Sequence, residues 1–244
     1  MPEGQRRRPI EGRLREPLED YYLERLTIHA EDSYLGVPLF KLPEDLRTYE
    51  HLLDESRANV VVEIGSGTGA SALWFRDRLL TLERYGRVSD IRVVSVDIEA
   101  DEARRQVAGV DPAFADTIVF VEGDVCDPKV AAEVRRHLPA RARPMVVEDS
   151  AHRFETTMAA LRHFSDLVPL GGFFVVEDGH VDIEGMRHPV CPPGIGGVLA
   201  AVDQWLRSDQ GQAFAVERHQ ERYVVTGHPR GFLRRVAPAT TVCR

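Results

Sequence analysis

The chain alternates two hydrophobic rhythms. Val60-Val-Val-Glu-Ile64 is a continuous β-branched run, the pattern of a strand buried on both faces. Further strands are predicted at Arg92–Val96, Thr117–Val121, Met145–Val147 and Phe173–Val176. Between them Ala70–Leu82, Ala100–Ala108, Val130–Leu138 and Glu155–Leu167 carry helical or partly helical spacing. Strand and helix alternating at this interval predict an α/β fold, a mostly parallel sheet with helices on both faces. Two helices precede the first strand, Glu19–Ala30 and Glu44–Glu55, the second opened by Pro43. At the far end Glu221–Thr226 and Gly231–Val236, joined by Gly227-His-Pro-Arg230, predict an antiparallel C-terminal hairpin.

The 244 residues carry 31 Lys+Arg and 39 Asp+Glu, a formal charge of −8, with 43% apolar and 29% charged positions. This is the balance of an ordinary globular protein, and its sign offers no general attraction to nucleic acid. No apolar stretch approaches the roughly 18 residues of a membrane span, and Met1–Arg15 lacks a signal-peptide core. Cys126, Cys191 and Cys243 form no CxxC pair, which argues for a reducing, cytoplasmic setting and against a thiolate metal site. An arginine-rich flexible arm is expected over residues 1–18 and one domain over 19–244. Only Lys41 and Lys129 are lysines, an arginine bias that reads as genome composition.

Chemistry concentrates at predicted strand ends. Glu63-Ile-Gly65-Ser66-Gly67-Thr-Gly69 closes the first strand and opens a helix, where backbone N–H groups are free for a ligand. The glycines also match a dinucleotide-binding GxGxxA pattern, so an oxidoreductase is an alternative. Three carboxylates favour a cationic nucleoside instead. Glu63 precedes the glycines, Asp97 ends the second strand where ribose hydroxyls would be bound, and Asp124 follows the third near an adenine amino group. S-adenosylmethionine meets that description better than NAD does.

Val146-Val-Glu-Asp149 and Val175-Val-Glu-Asp178 end two consecutive strands in the same way. If the strands are neighbours, their acids converge and call for a cation: Mg²⁺ first, with Mn²⁺ or Ca²⁺ as alternatives. Asp149, Glu177 and Asp178 are the candidate ligands. His152 and His180 stand close by as candidate general bases, and Asp149 is a second candidate for that role. The loops Ser33–Phe40 and Asp182–Gly197 are candidate lids.

In combination these segments resemble the cephalosporin hydroxylase / rhamnosyl O-methyltransferase family. Those carrying the likeness are Tyr34-Leu-Gly-Val-Pro-Leu-Phe-Lys-Leu-Pro-Glu-Asp-Leu46, Val62-Glu-Ile-Gly65 with Gly69-Ala-Ser-Ala-Leu73, Glu148-Asp-Ser-Ala-His152, Phe174-Val-Val-Glu-Asp178 and Gly231-Phe-Leu-Arg-Arg-Val236. The resemblance implies a class I methyltransferase fold, S-adenosylmethionine as donor, a divalent metal on Asp149, Glu177 and Asp178, and a homo-oligomer. The stretches His188–Gly197 and Glu221–Gly231 look like the sugar-methylating branch, with a deoxysugar or glycosylated natural product as acceptor. A polyketide, catechol or β-lactam acceptor is the alternative.

Overall fold

The computed structural model describes residues 14–29, 31–186 and 194–238. Residues 1–13 of the expected arm, residues 187–193 of the second candidate lid, and Cys191 and Cys243 lie outside the described residues. In chain order the elements are α1 (Leu18–His29), the two-residue strands β1 (Ser33–Tyr34) and β2 (Val37–Pro38), α2 (Pro43–Ser56), β3 (Val60–Ile64) and α3 (Ala70–Arg84). They continue with β4 (Arg92–Asp97), α4 (Asp101–Val110), β5 (Ile118–Glu122), α5 (Pro128–Arg136), β6 (Pro144–Glu148) and α6 (Phe154–Phe164). The chain closes with β7 (Phe173–Val176), α7 (Val198–Leu206), β8 (Phe214–Val216) and β9 (Phe232–Arg235).

Seven strands form one sheet in the order β5-β4-β3-β6-β7-β9-β8. The first five are parallel, and β9 runs antiparallel to both its neighbours. Strand alternation sorts the core. Val60, Val62 and Ile64 pack with α5, α6 and α7, while Val61 faces Leu52 of α2, Phe75 of α3 and Val107 of α4. Both faces are therefore covered, which is why β3 tolerates no polar position except Glu63.

The predicted strand Glu221–Thr226 is not one. β9 pairs instead with β8, register Phe214↔Arg235 to Val216↔Leu233. The reason lies in α2: the buried Asp45 accepts hydrogen bonds from Thr226 Oγ1 (2.5 Å) and Gly227 N (2.8 Å), drawing this segment off the sheet. Among the described residues no helix is long and apolar enough to cross a membrane.

Chain reversal proceeds on both sides of β3: β4 and β5 extend one way, β6 and β7 the other. The crevice at that reversal, outside the carboxyl ends of β3 and β6, is where open α/β sheets bind ligands. At the other border β9 enters against β7 very closely, since Val176 N donates to Gly231 O at 2.8 Å. A Cβ on Gly231 would fall 1.9 Å from Val176 O. Gly231→Ala is expected to cost about 3 kcal/mol or more in a urea denaturation experiment, because backbone must move to admit the methyl.

Candidate functional site

The ladders run one residue past the strands: Asp149 N donates to Ile64 O (2.8 Å) and Glu177 N to Glu148 O (2.9 Å). With Glu148 paired to Val176 in register, the Glu-Asp ends of β6 and β7 stand side by side, as their sequences predict. Gly65, at φ +105°, turns the chain at the end of β3. Its missing side chain is essential, for a Cβ there would sit 2.0 Å from Asp149 O. The glycine bend and the acids thus touch.

Two chambers open from that contact and share Gly65, Gly67 and Asp149. The smaller, about 410 Å³, is bounded by Asp97, Ile98, Asp124, Val125 and Ser150. The larger, about 720 Å³, receives Lys41, Asp149, His152, Asp178 and His180, with Leu26, Phe40, Val181 and Ile195 as apolar wall. Of the residues singled out from sequence, Gly65, Gly67, Asp97 and Asp124 line the smaller chamber, and Ser66 the larger. Asp97 Oδ2 accepts from the N–H groups of Ser66 (2.8 Å) and Gly67 (3.1 Å), so it shapes the glycine loop as well as facing the chamber. Asp124 Oδ1 accepts from Cys126 N at 2.8 Å.

Glu63 and Gly69 line neither chamber. Gly69 caps α3 where that helix meets α4. Glu63 is fully buried beneath the loop, where Ser95 Oγ donates to it at 2.6 Å and itself pairs with Ser66 Oγ at 2.7 Å. Burial pushes its carboxyl up to about 7, the charge of Lys41 offsetting only part of that cost.

A cluster forms at the mouth of the crevice. Asp149, His152 and Asp178 each bring one ligand atom within 4.8 Å of the others. His152 Nε2 lies 3.2 Å from Asp178 Oδ2. His152 and Asp178 both hold left-handed backbones, φ +52° and +55°. Burial disfavours charge on the imidazole, but Asp178, Asp149, Glu148 and Glu177 more than reverse this and raise its pKa.

Glu177, the third ligand expected from sequence, is engaged by other partners in this structure. It does not join the cluster: both of its oxygens accept from Lys41 Nζ (2.7 and 2.8 Å), and Oε1 also accepts from Tyr49 OH (2.5 Å). Lys41 reaches Asp149 Oδ2 as well, at 2.9 Å. The ammonium sits 4% exposed among three carboxylate oxygens, its pKa driven upward by Asp149, Glu177 and Glu63 against the penalty of burial. Its positive charge thus stands between Asp149 and Glu177. His180 is turned inward, its Nδ1 donating to Gly227 O at 3.0 Å, and burial lowers its pKa.

Lys41, Tyr49, Asp45 and His228 escape notice in the sequence. One signal was present: two lysines among 31 basic residues, one of them in the loop before α2. A compact ammonium on a flexible stem enters a buried three-oxygen cage that a planar guanidinium does not fit.

The family model described as rhamnosyl O-methyltransferase/CmcI matches residues 27–236. A rhamnosyl O-methyltransferase of Mycobacterium leprae is 26% identical over 205 residues, covering 82% of this chain and 82% of that protein. Its counterpart in Mycobacterium tuberculosis H37Rv is 24% identical over 209 residues, covering 84% and 79%. Among solved structures, one of CmcI with Mg and SAM superposes with a TM-score of 0.60 at 21% identity, over 96% of this chain and 88% of that one. An O-methyltransferase from Bacillus cereus in complex with SAH gives 0.51 at 17% identity, over 80% and 82%. The last two similarities establish the shared sheet architecture.

Replacing Lys41 by Met strips Asp149 and Glu177 of their counter-charge. Lys41→Met is expected to lose about 3–5 kcal/mol in chemical denaturation. Adding Glu177→Gln should recover part of that loss, and a double variant no better than the single would count against the pairing.

Glu63 carries a pH dependence of definite sign. Its folded carboxyl titrates near 7 against an ordinary 4.5, so the folded state holds the proton more tightly. That contribution is full below about 4.5 and lost as pH rises through about 7. Stability measured by denaturation between pH 5 and 7 should fall in the parent protein relative to Glu63→Gln, and the opposite trend would refute the assignment.

Proposed function

Because the chain belongs to the rhamnosyl O-methyltransferase/CmcI family, we propose that it transfers a methyl group from S-adenosylmethionine to a hydroxyl of a deoxysugar or glycosylated natural product, assisted by a divalent cation. The observation that carries this reading is the sharing of Gly65, Gly67 and Asp149 by both chambers. One edge of the crevice suits a donor and the other an acceptor, with Asp149 between them.

The smaller chamber is assigned to the nucleoside. Asp97 and Asp124 present oxygens to ribose and base, and the exposed Ile98 offers an apolar surface to the purine face. Gly65, Ser66 and Gly67 bring the chain backbone to the amino-acid end, with Glu63 and Gly69 supporting the loop from behind and below. S-adenosylmethionine supplies an electrophilic methyl carbon on a sulfonium, and departs as a neutral thioether.

The fit to a hard cation rests on two converging carboxylates, Asp149 and Asp178, with the His152 imidazole beside them left for proton transfer. Mg²⁺ or Mn²⁺ bound there would supply positive charge that acidifies an acceptor hydroxyl. Lys41 holds Glu177 back from this set and fixes one oxygen of Asp149, leaving its other oxygen free. His152, at the chamber wall, takes the hydroxyl proton. The apolar wall of Leu26, Phe40, Val181 and Ile195 expels water and holds the acceptor in line with the methyl group, where most of the rate gain from positioning arises.

The sugar acceptor draws support from the curated rhamnosyl O-methyltransferases and from the polar floor of the larger chamber, where Thr27 and Glu31 accompany the apolar wall. Radiolabelled donor offered with a panel of rhamnosides, catechols and polyketide alcohols tests it. Label is expected in the glycosides, and exclusive labelling of a catechol or polyketide would overturn the sugar reading.

Asp149→Asn should lower kcat at least about 100-fold while S-adenosylhomocysteine affinity, measured by calorimetry, changes less than about threefold. Asp97→Ala should do the reverse, weakening nucleoside binding about 10-fold or more.

A further inference from the structure

Behind the acid cluster lies a brace that the chemistry above does not use. Asp45 of α2 is 1% exposed and holds Thr226 Oγ1 and Gly227 N, the contacts that pull this segment from the sheet. The next residue, His228, is 3% exposed, and its Nδ1 accepts the backbone N–H of Asp178 at 3.2 Å. Since Nδ1 accepts, a neutral ring carries its proton on Nε2. That nitrogen makes no hydrogen bond and stands 3.5 Å from Asp45 Oδ2 and 3.7 Å from Glu177 Oε2. Gly227 O, in turn, accepts from His180 N and Nδ1, and that ring lies 3.5 Å from Asp178 Oδ1.

Asp178 is thus gripped twice, at its amide by His228 and beside its carboxylate by His180. It needs the grip. Its φ of +55° is a left-handed conformation that a non-glycine residue keeps only where the surroundings compel it. Relaxing to negative φ would swing the carboxylate away from Asp149 and His152. We propose that His228, seated by Asp45, is a positioning residue that locks Asp178 in this conformation and thereby sets the affinity of the cluster for a divalent cation. The proposal rests on the reading of Asp178 as a cation ligand. Groups that orient metal ligands from behind are worth 10–100-fold in affinity in many proteins.

The test uses the full chain and Mn²⁺ as the probe, titrated by electron paramagnetic resonance. Asp178→Asn serves as the control that should abolish tight binding. His228→Leu fills the space without an acceptor and should weaken Mn²⁺ binding about 10–100-fold. His228→Asn keeps an acceptor oxygen and should stay within about threefold of the parent. S-adenosylhomocysteine affinity should be unchanged in both, because Asp97 and Asp124 lie on the other side of β3. Should the leucine variant fail to fold, Thr226→Val loosens the brace without touching the ring and should weaken Mn²⁺ binding about threefold or more. Parent-like Mn²⁺ affinity in the acceptor-free variant, or equal losses in the leucine and asparagine variants, would overturn the positioning role. If the parent itself shows no Mn²⁺ site that Asp178→Asn removes, the cation reading falls, and the proposal with it.

Discussion

Carboxylates crowded at the rim of a parallel sheet are the constraint that organises this molecule. Parallel register sets the ends of β6 and β7 next to each other, so Glu148, Asp149, Glu177 and Asp178 share one edge with Glu63 a strand away. Left to themselves these acids would repel or take up protons. Lys41 answers Asp149 and Glu177 with one ammonium for three oxygens, and hydrogen bonds answer the rest: Ser150 and Thr157 hydroxyls for Glu148, Ser95 for Glu63. The outer acids, Asp149 and Asp178, are those left facing the chamber with His152.

That division explains why two adjacent acids on one strand end behave differently. Alternation along an extended chain turns Glu148 inward, where it is fully buried and its carboxyl is pushed up to about 7, while Asp149 reaches the rim. At β7 the order is the same: Glu177 inward onto Lys41 and Tyr49, Asp178 outward on a left-handed turn. The inner acids serve the architecture, and the outer ones are available for chemistry.

The approach of the β3 bend to β6 joins the two half-sites. Gly65 lets the loop pack directly against the backbone of Asp149, so any ligand in the smaller chamber ends where the acid cluster begins. The strap before α2 completes the wall from the other side, with Tyr34 OH bound to Asp77 at 2.6 Å and Thr68 Oγ1 to Pro38 O at 2.6 Å. It delivers Lys41 and Phe40 to the site from a stretch with no regular structure beyond two short strands.

Much of this was legible in the chain before any coordinates. Uniform β-branched runs announce buried parallel strands, and paired Val-Val-Glu-Asp ends announce acids on a common edge, because both are local consequences of the two-residue period and of parallel topology. Gly65, Asp97, Asp124, Asp149, His152 and Asp178 all reach the crevice on that logic alone. What tertiary structure decided is which charges meet. Lys41 pairs with residues 108 and 136 positions away, Asp45 with Thr226 at a separation of 181, and the latter contact turns a predicted strand into a brace. No periodicity encodes such partners, since they arise only when α2 packs over the finished sheet and buried charges must find whatever opposite charge or hydrogen bond lies within reach.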